Sequence, residues 1–343
     1  MKIKPKVLII YTGGTIGMIK DPVTGTLSNV DFNLISHHVP EINRLNIEID
    51  SVSFPKPVDS SEINPEHWLE MAQTIEKNYQ HYNGFVVLHG SDTMAFTAAA
   101  LSFIMDGLQK PVILTGSQLP IGVIRTDGKE NLITALEIAA ATNDEGKSLV
   151  TEVAVYFDYK LLRGNRCTKD SAENFEAFRS PNYPELASAG VHLQYFEDEM
   201  YRSPSNQLSY KSEINSRIGL VKLYPGISFE LYRHVFNRET TDAVVLETFG
   251  AGNAPKSQEM FSILESFIQE GGVVLNITQC SSGSVEQGLY HTSSEFNKLG
   301  VLSGGDMTTE AALTKLMVYV DAENPSDAKD KILQNLRGER SDS

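Results

Sequence analysis

Short apolar runs alternate with stretches of helical periodicity through the first half of the chain. Val7–Tyr11, Phe85–His89, Val112–Thr115 and Val153–Phe157 are nearly continuous apolar runs of strand length. Runs of this kind suit strands covered on both faces, as in a parallel sheet. Between them, Pro65–Tyr79, Thr93–Leu108 and Lys129–Ala141 carry apolar positions at helical spacing. Asn64 can cap the first of these helices, and Pro65 sits where a helix tolerates proline best.

The pattern lapses from about Gln194 to Ser216, a polar stretch containing Ser203-Pro204-Ser205-Asn206. A second series then begins, with strands at Ile218–Leu223, Ala243–Thr248 and Val273–Ile277 and helices at Phe229–Phe236, Gln258–Gln269 and Thr309–Val318. The expectation is two α/β domains built on parallel sheets. The larger spans 1–193, a linker follows at 194–216, and the smaller spans 217–343. In such sheets ligands bind beyond the carboxyl ends of the strands, so the loops there carry the chemistry.

Composition narrows the function classes. The 343 residues are 41% hydrophobic and 21% charged, which is globular, with a formal net charge of -15. A phosphate-binding surface needs clustered Lys and Arg, so this balance argues against a nucleic-acid partner. Cys167 and Cys280 are the two cysteines; they show neither metal spacing nor a disulfide framework, which fits a cytoplasmic location. The apolar run after Lys6 is too short for a signal-peptide core, and no stretch approaches a transmembrane helix, so no membrane partner is expected. No His-x-x-x-His, Cys-x-x-Cys or carboxylate cluster suggests a metal.

Four loops carry the candidate chemistry. Tyr11-Thr12-Gly13-Gly14-Thr15-Ile16-Gly17 follows the first strand. Its glycines let backbone N–H groups approach a ligand, and its threonine hydroxyls would point into the cleft. A tight turn or a phosphate loop reads the same residues, although the glycine spacing is not that of a dinucleotide fingerprint. His89-Gly90-Ser91-Asp92-Thr93-Met94 joins a strand to a helix and offers a hydroxyl, a carboxylate and helix N–H groups, or simply a cap. Asp59-Ser60-Ser61-Glu62 is by itself a capping cluster. In Arg163-Gly164-Asn165-Arg166-Cys167-Thr168-Lys169-Asp170 the lysine beside a carboxylate is either solvated or a base held in a cleft.

Thr12-Gly13-Gly14-Thr15-Ile16-Gly17 and His89-Gly90-Ser91-Asp92-Thr93-Met94 together resemble the two signatures of bacterial-type L-asparaginases, in the type I, cytosolic branch, and Arg163-Gly164-Asn165-Arg166 extends the match. The resemblance runs on through Gly116-Ser117-Gln118-Leu119-Pro120, Leu223-Tyr224-Pro225-Gly226, Gly252-Asn253-Ala254-Pro255, Thr278-Gln279-Cys280 and Asp306-Met307-Thr308. It implies an asparaginase-like fold with a larger N-terminal domain, assembly as a homodimer or homotetramer, and hydrolysis of L-asparagine to L-aspartate and ammonia without a cofactor. By resemblance, Thr15 is the nucleophile, and Ser91, Asp92 and Lys169 are the second hydroxyl, its carboxylate and its lysine. Ser60, Ser61 and Asp92 would grip the substrate's charged backbone groups. Gly14 and Ser91 would offer oxyanion donors, the Ser117 carbonyl would accept from the amide nitrogen, and Asn253 would support the site.

Three departures from the family pattern stand out. Ser91 lies where relatives usually have threonine. Gly25-Thr26 lies where many carry a flap tyrosine, leaving Thr26 and Tyr290 as candidate helpers for Thr15. Glu247 takes the place of an arginine beside a candidate effector site at Thr278 and Cys280.

Overall fold

A computed structural model describes residues 4–20, 27–29, 38–288, 291–321 and 325–341. The chain separates into two compact units, Met1–Lys211 and Ser212–Ser343.

In the first unit the continuous apolar runs form the middle of an eight-stranded sheet. Its strands are β1 (Lys6–Gly13), β2 (Glu48–Val58), β3 (Gly84–Leu88), β4 (Val112–Thr115), β5 (Val153–Phe157) and β6 (Lys160–Arg163). After a separate ribbon of β7 (Thr168–Lys169) and β8 (Phe178–Arg179) come β9 (Ala187–Ala189) and β10 (Leu193–Tyr195). The spatial order is β10-β9-β6-β5-β4-β3-β1-β2. Strands β2, β1, β3, β4 and β5 run parallel. Helices α1 (Pro65–Asn78), α2 (Met94–Ile104) and α3 (Gly128–Ala140) follow β2, β3 and β4. Val7, Ile9, Val86, Leu88, Ile113, Leu132, Leu136 and Ala154 are fully buried in the core between these layers.

The far side of this sheet departs from the all-parallel expectation. β6 folds back antiparallel on β5, and β9 and β10 continue antiparallel beyond it. The tight reversal is made by Asp158 and Tyr159, at φ of 47° and 67°, the doubly left-handed backbone that two-residue hairpin turns need. Most of the segment 194–216, read as a linker, is also tied into this unit, while 212–216 belong to the second. Gln194 and Tyr195 lie in β10, Ser209–Tyr210 pairs with Met105–Asp106, and the Tyr201 N–H donates to Glu152 Oε1 at 2.6 Å. Backbone pairing and single side-chain anchors order this stretch without an apolar run.

The order of the parallel strands places the functional crevice. From β1 the chain moves to β2 on one side, then crosses to β3 on the other. The direction of winding therefore reverses at β1, and the loops leaving the carboxyl ends of β1, β2 and β3 part around a gap.

The second unit is a four-stranded parallel sheet of β11 (Ile218–Lys222), β12 (Ala243–Thr248), β13 (Val273–Thr278) and β14 (Leu302–Ser303). Its helices are α4 (Gln258–Gln269), α5 (His291–Leu299), α6 (Thr309–Tyr319) and α7 (Pro325–Leu333). The helix expected over Phe229–Phe236 is only a short 3-10 turn at Phe229–Tyr232. Lys315 on α6 is fully buried against Glu339, and its ammonium also donates to the Gln334 carbonyl at 2.5 Å. The Glu339 carboxylate also accepts from the Leu336 and Arg337 N–H groups. Burial alone would raise that carboxyl, but the Lys315 charge and these donors hold it below the usual carboxylate range. Among the described residues no helix is long and apolar enough to cross a membrane.

Candidate active site

Three loops meet at the reversal point because three glycines leave room for them. Gly13 and Gly14 sit at φ of 128° and 84°. A β-carbon on Gly13 would stand 2.2 Å from the Val58 carbonyl oxygen, and one on Gly14 would stand 2.4 Å from the Gly90 nitrogen. One on Gly90 would stand 2.5 Å from Ser60 Oγ. Side chains cannot be accommodated at these spacings, so the ends of β1, β2 and β3 are pressed backbone to backbone. Thr12 Oγ1 adds a hydrogen bond to the Leu88 carbonyl at 2.9 Å, fastening β1 to β3.

Each loop then presents polar groups. After β1 the chain makes a 3-10 turn, Thr15–Gly17, anchored by buried Ile16, with Thr15 half-buried at its start. Among the described residues no hydrogen bond reaches the Thr15 hydroxyl. After β2, Asp59 caps a turn at Ser60–Glu62, accepting from the Ser61 N–H at 2.9 Å and the Ser61 hydroxyl at 2.8 Å. Those bonds, the N–H foremost, hold the Asp59 carboxyl below its ordinary value. After β3, Gly90 leads into a turn at Ser91–Thr93 that opens α2, and Ser91 is buried.

Lys169 arrives from the β7–β8 ribbon, paired with Phe178. Its ammonium donates to Ser91 Oγ at 2.9 Å and to Asp92 Oδ1 at 2.7 Å. Ser91, Asp92 and Lys169 thus form one connected group, while the Asp92 side chain remains 68% exposed. The loop after β4 adds Gln118, whose Oε1 accepts from Ser91 Oγ at 3.0 Å. That loop is held by Asp127, which accepts from the Gln118 and Leu119 N–H groups, and by Asn131, which donates to the Gly116 carbonyl.

These groups enclose a polar cavity of about 200 Å³ that Gly14, Thr15, Ser60, Ser91, Asp92 and Lys169 line. Asp59, Gln118 and Ala172 complete the wall, positions that motif reading alone did not single out. The volume is well below a drug-sized pocket and suits a single small polar molecule. Hydroxyl, carboxylate, ammonium and backbone N–H groups converge there, a set able to grip both backbone charges of an amino acid and move a proton.

The remaining sequence candidates lie outside this lining. Ser61 is exposed and spends its hydroxyl on Asp59, while Ser117 is buried with its hydroxyl on the Leu119 carbonyl at 2.6 Å. Asn253, in the second unit, makes a bridge with Phe249. Thr278 Oγ1 donates to the Gly250 carbonyl at 2.6 Å and accepts from the N–H of Cys280, whose thiol is free and exposed. Nearby Glu247 is buried and pairs with Lys222 at 3.3 Å and the Thr309 hydroxyl at 2.5 Å. Thr26 and Tyr290 lie outside the described residues. Among the described residues no group of three or more His, Cys, Asp or Glu side chains could hold a metal ion.

Behind the cavity a buried chain of hydrogen bonds stiffens the Ser91 loop. Trp68 Nε1 can only donate, and does so to Thr97 Oγ1 at 3.0 Å. The Gly90 carbonyl can only accept, so His89 Nδ1 donates to it at 2.7 Å, and in the neutral ring Nε2 accepts from the Thr97 hydroxyl at 2.9 Å. The imidazole is neutral; burial pushes its pKa down to about 4.

Comparison with known proteins gives this arrangement a family. Residues 6–201 match the model of the asparaginase N-terminal domain, and residues 217–333 match that of the glutaminase/asparaginase C-terminal domain. The chain is 40% identical over 342 residues to L-asparaginase 1 of Escherichia coli K12, covering 98% of each. L-asparaginase I from Vibrio cholerae superposes with a TM-score of 0.89 at 38% identity, over 99% of this chain and 100% of that one. The thermostable L-asparaginase from Thermococcus kodakarensis does so at 0.88 and 30% identity, over 98% and 100%. With both domain models matched in order and full-length relatives at this identity, the chain belongs to the asparaginase family, in its type I branch.

Proposed function

We propose that the chain is an L-asparaginase, hydrolysing L-asparagine to L-aspartate and ammonia through a threonine acyl-enzyme. The observation that carries this reading is the single small cavity shared by Thr15 and the linked group Ser91–Lys169–Asp92. In it, Thr15 Oγ attacks the side-chain carboxamide carbon, giving up its proton as the new C–O bond forms. Gly14 and Ser91 N–H groups stabilise the oxyanion, an effect typically worth about 10²–10³ in turnover per donor. The C–N bond then breaks, the leaving nitrogen takes a proton and departs as ammonia, and water hydrolyses the ester. Ser91, Lys169 and Asp92 carry protons between these steps.

Asp92 and Ser60 grip the substrate's α-ammonium and α-carboxylate, Ser61 joins them once its hydroxyl leaves Asp59, and the Ser117 carbonyl accepts from the amide nitrogen. Assembly as a homodimer or homotetramer and a cytoplasmic location belong to the same reading; Cys167 and Cys280 are not joined in a disulfide, as a reducing compartment would keep them. The candidate effector site at Thr278 and Cys280 is read as unresponsive, because buried Glu247 with its own partners would repel an effector carboxylate. Saturation by asparagine is accordingly hyperbolic, or at most weakly sigmoidal.

The test is ammonia release from L-asparagine, L-glutamine and their D-isomers by the parent and by Thr15→Ala. L-Asparagine should be preferred, and Thr15→Ala should lose about a thousandfold or more in kcat while still binding substrate. Activity of Thr15→Ala within about tenfold of the parent would remove Thr15 from the mechanism.

A further inference from the structure

Ser91 differs from a threonine in one respect that matters for geometry. Its β-carbon bears a hydroxyl and no methyl, so its own covalent structure leaves the χ1 rotamer weakly restricted. A hydroxyl that must face both a lysine and a substrate needs its direction set from outside.

The surrounding hydrogen bonds supply that direction, and donor chemistry fixes their sense. The Lys169 ammonium has no acceptor capacity, so Ser91 Oγ accepts a hydrogen bond from it at 2.9 Å and cannot donate one to it. The Ser91 O–H donates instead to Gln118 Oε1, 3.0 Å away. The orientation of the Gln118 carboxamide is set by its other end. Nε2 donates at 3.0 Å to the carbonyl of Asn174, a group that can only accept, so the oxygen must face Ser91. The Gln118 main chain is pinned by its N–H to Asp127, at 2.9 and 3.1 Å from the two carboxylate oxygens.

We propose that Gln118 is a positioning residue for the reaction: its carboxamide holds the Ser91 hydroxyl in one rotamer, in place of the methyl that Ser91 lacks. This rests on the asparaginase reading, in which Ser91 passes protons beside Thr15. The hydroxyl is gripped from two sides, by a donor and by an acceptor, and the acceptor is itself braced twice. Loss of Gln118 frees Ser91 to turn away from the line between Lys169 and the cavity. A β-branched side chain at the same position is restricted without help.

Four proteins test this: the parent, Gln118→Met, Ser91→Thr, and the double variant. Methionine keeps the length and bulk of glutamine and removes only the hydrogen-bonding groups. Gln118→Met should lower kcat about tenfold with KM little changed, as expected for losing one ordering hydrogen bond. In the Ser91→Thr background the same change should lower kcat less than about threefold. Equal losses in both backgrounds, or no loss in either, would overturn the proposal.

Crystal structures give a readout independent of turnover. Ser91 should occupy more than one rotamer in Gln118→Met and a single one in the parent, and the residue at that position should keep a single one in the double variant. A single Ser91 rotamer in Gln118→Met overturns the positioning role even if the chain proves inert toward asparagine, whereas an inert parent would overturn only the asparaginase reading. Should Gln118→Met fold poorly, Gln118→Leu replaces it with the same expectation: without the acceptor Ser91 should occupy more than one rotamer, and a single one overturns the positioning role.

Discussion

Gly14 and Gly90 touch through their backbones, with space for a β-carbon on neither. A methyl added at Gly14 would stand 2.4 Å from the Gly90 nitrogen, at a φ of 84° that alanine tolerates poorly. Gly14→Ala should therefore push the Thr15 loop off the Ser91 loop, lowering kcat/KM at least about tenfold and stability by more than about 1 kcal/mol. Steady-state kinetics beside a urea titration separates the two effects. A variant with parental kinetics and midpoint would mean that the loops have slack this packing denies.

The Lys169 and Asp92 substitutions should differ in kind. Lys169→Met removes the cation that links Ser91 to Asp92, so kcat should fall about a hundredfold or more while KM changes little. Asp92→Ala also removes a carboxylate lining the cavity, where an α-ammonium would sit, so KM should rise as kcat falls. Purely KM effects from both would exclude a proton-carrying role for the pair.

His89 makes stability fall in mild acid. Its imidazole takes up a proton near pH 6.5 when exposed but only near 4 when folded, where burial disfavours the charge. The unfolded chain therefore binds more protons between those values, and stability contributed by neutral His89 is whole above pH 6.5 and lost as pH drops toward 4. The full contribution is about 3 kcal/mol. Urea midpoints across this window should fall less steeply for His89→Gln than for the parent. Parallel slopes would show that other groups govern the acid side.

The ion pair between Lys315 and Glu339 should show strong coupling. Lys315→Met alone leaves a buried carboxylate with only backbone donors, and Glu339→Gln alone leaves a buried ammonium; each should cost about 3–5 kcal/mol. The double variant should recover much of that, because a glutamine oxygen still accepts from the Leu336 and Arg337 N–H groups. Additive losses in thermal unfolding would mean the pair is not energetically linked.

Much of the parallel framework can be read from the chain because its strands are covered on both faces and so are apolar throughout. Glu48–Val58 escapes such a reading: it is an edge strand, largely exposed, with Pro55 and Pro57 where only an edge tolerates them. The hairpin at Asp158-Tyr159 escapes too, because neither residue is the glycine that usually announces a left-handed turn. At the site, Ser91, Asp92 and Lys169 are visible as residue types in loops. Their contact spans 78 positions between Ser91 and Lys169, a distance no local pattern encodes. Gln118 and Asp59 lie within the motif stretches, but only three-dimensional packing brings them to the cavity wall.

The clasp between Lys315 and Glu339 also orders events during synthesis. Every strand of the first unit's main sheet has been made by Tyr195, so that sheet can close while translation continues. In the second unit the lysine is made 24 residues ahead of the carboxylate that neutralises it. Until Glu339 emerges from the ribosome, packing α6 into place would bury an ammonium with no counter-charge. The two units are therefore born on different schedules, the first ready early and the second obliged to wait for Glu339.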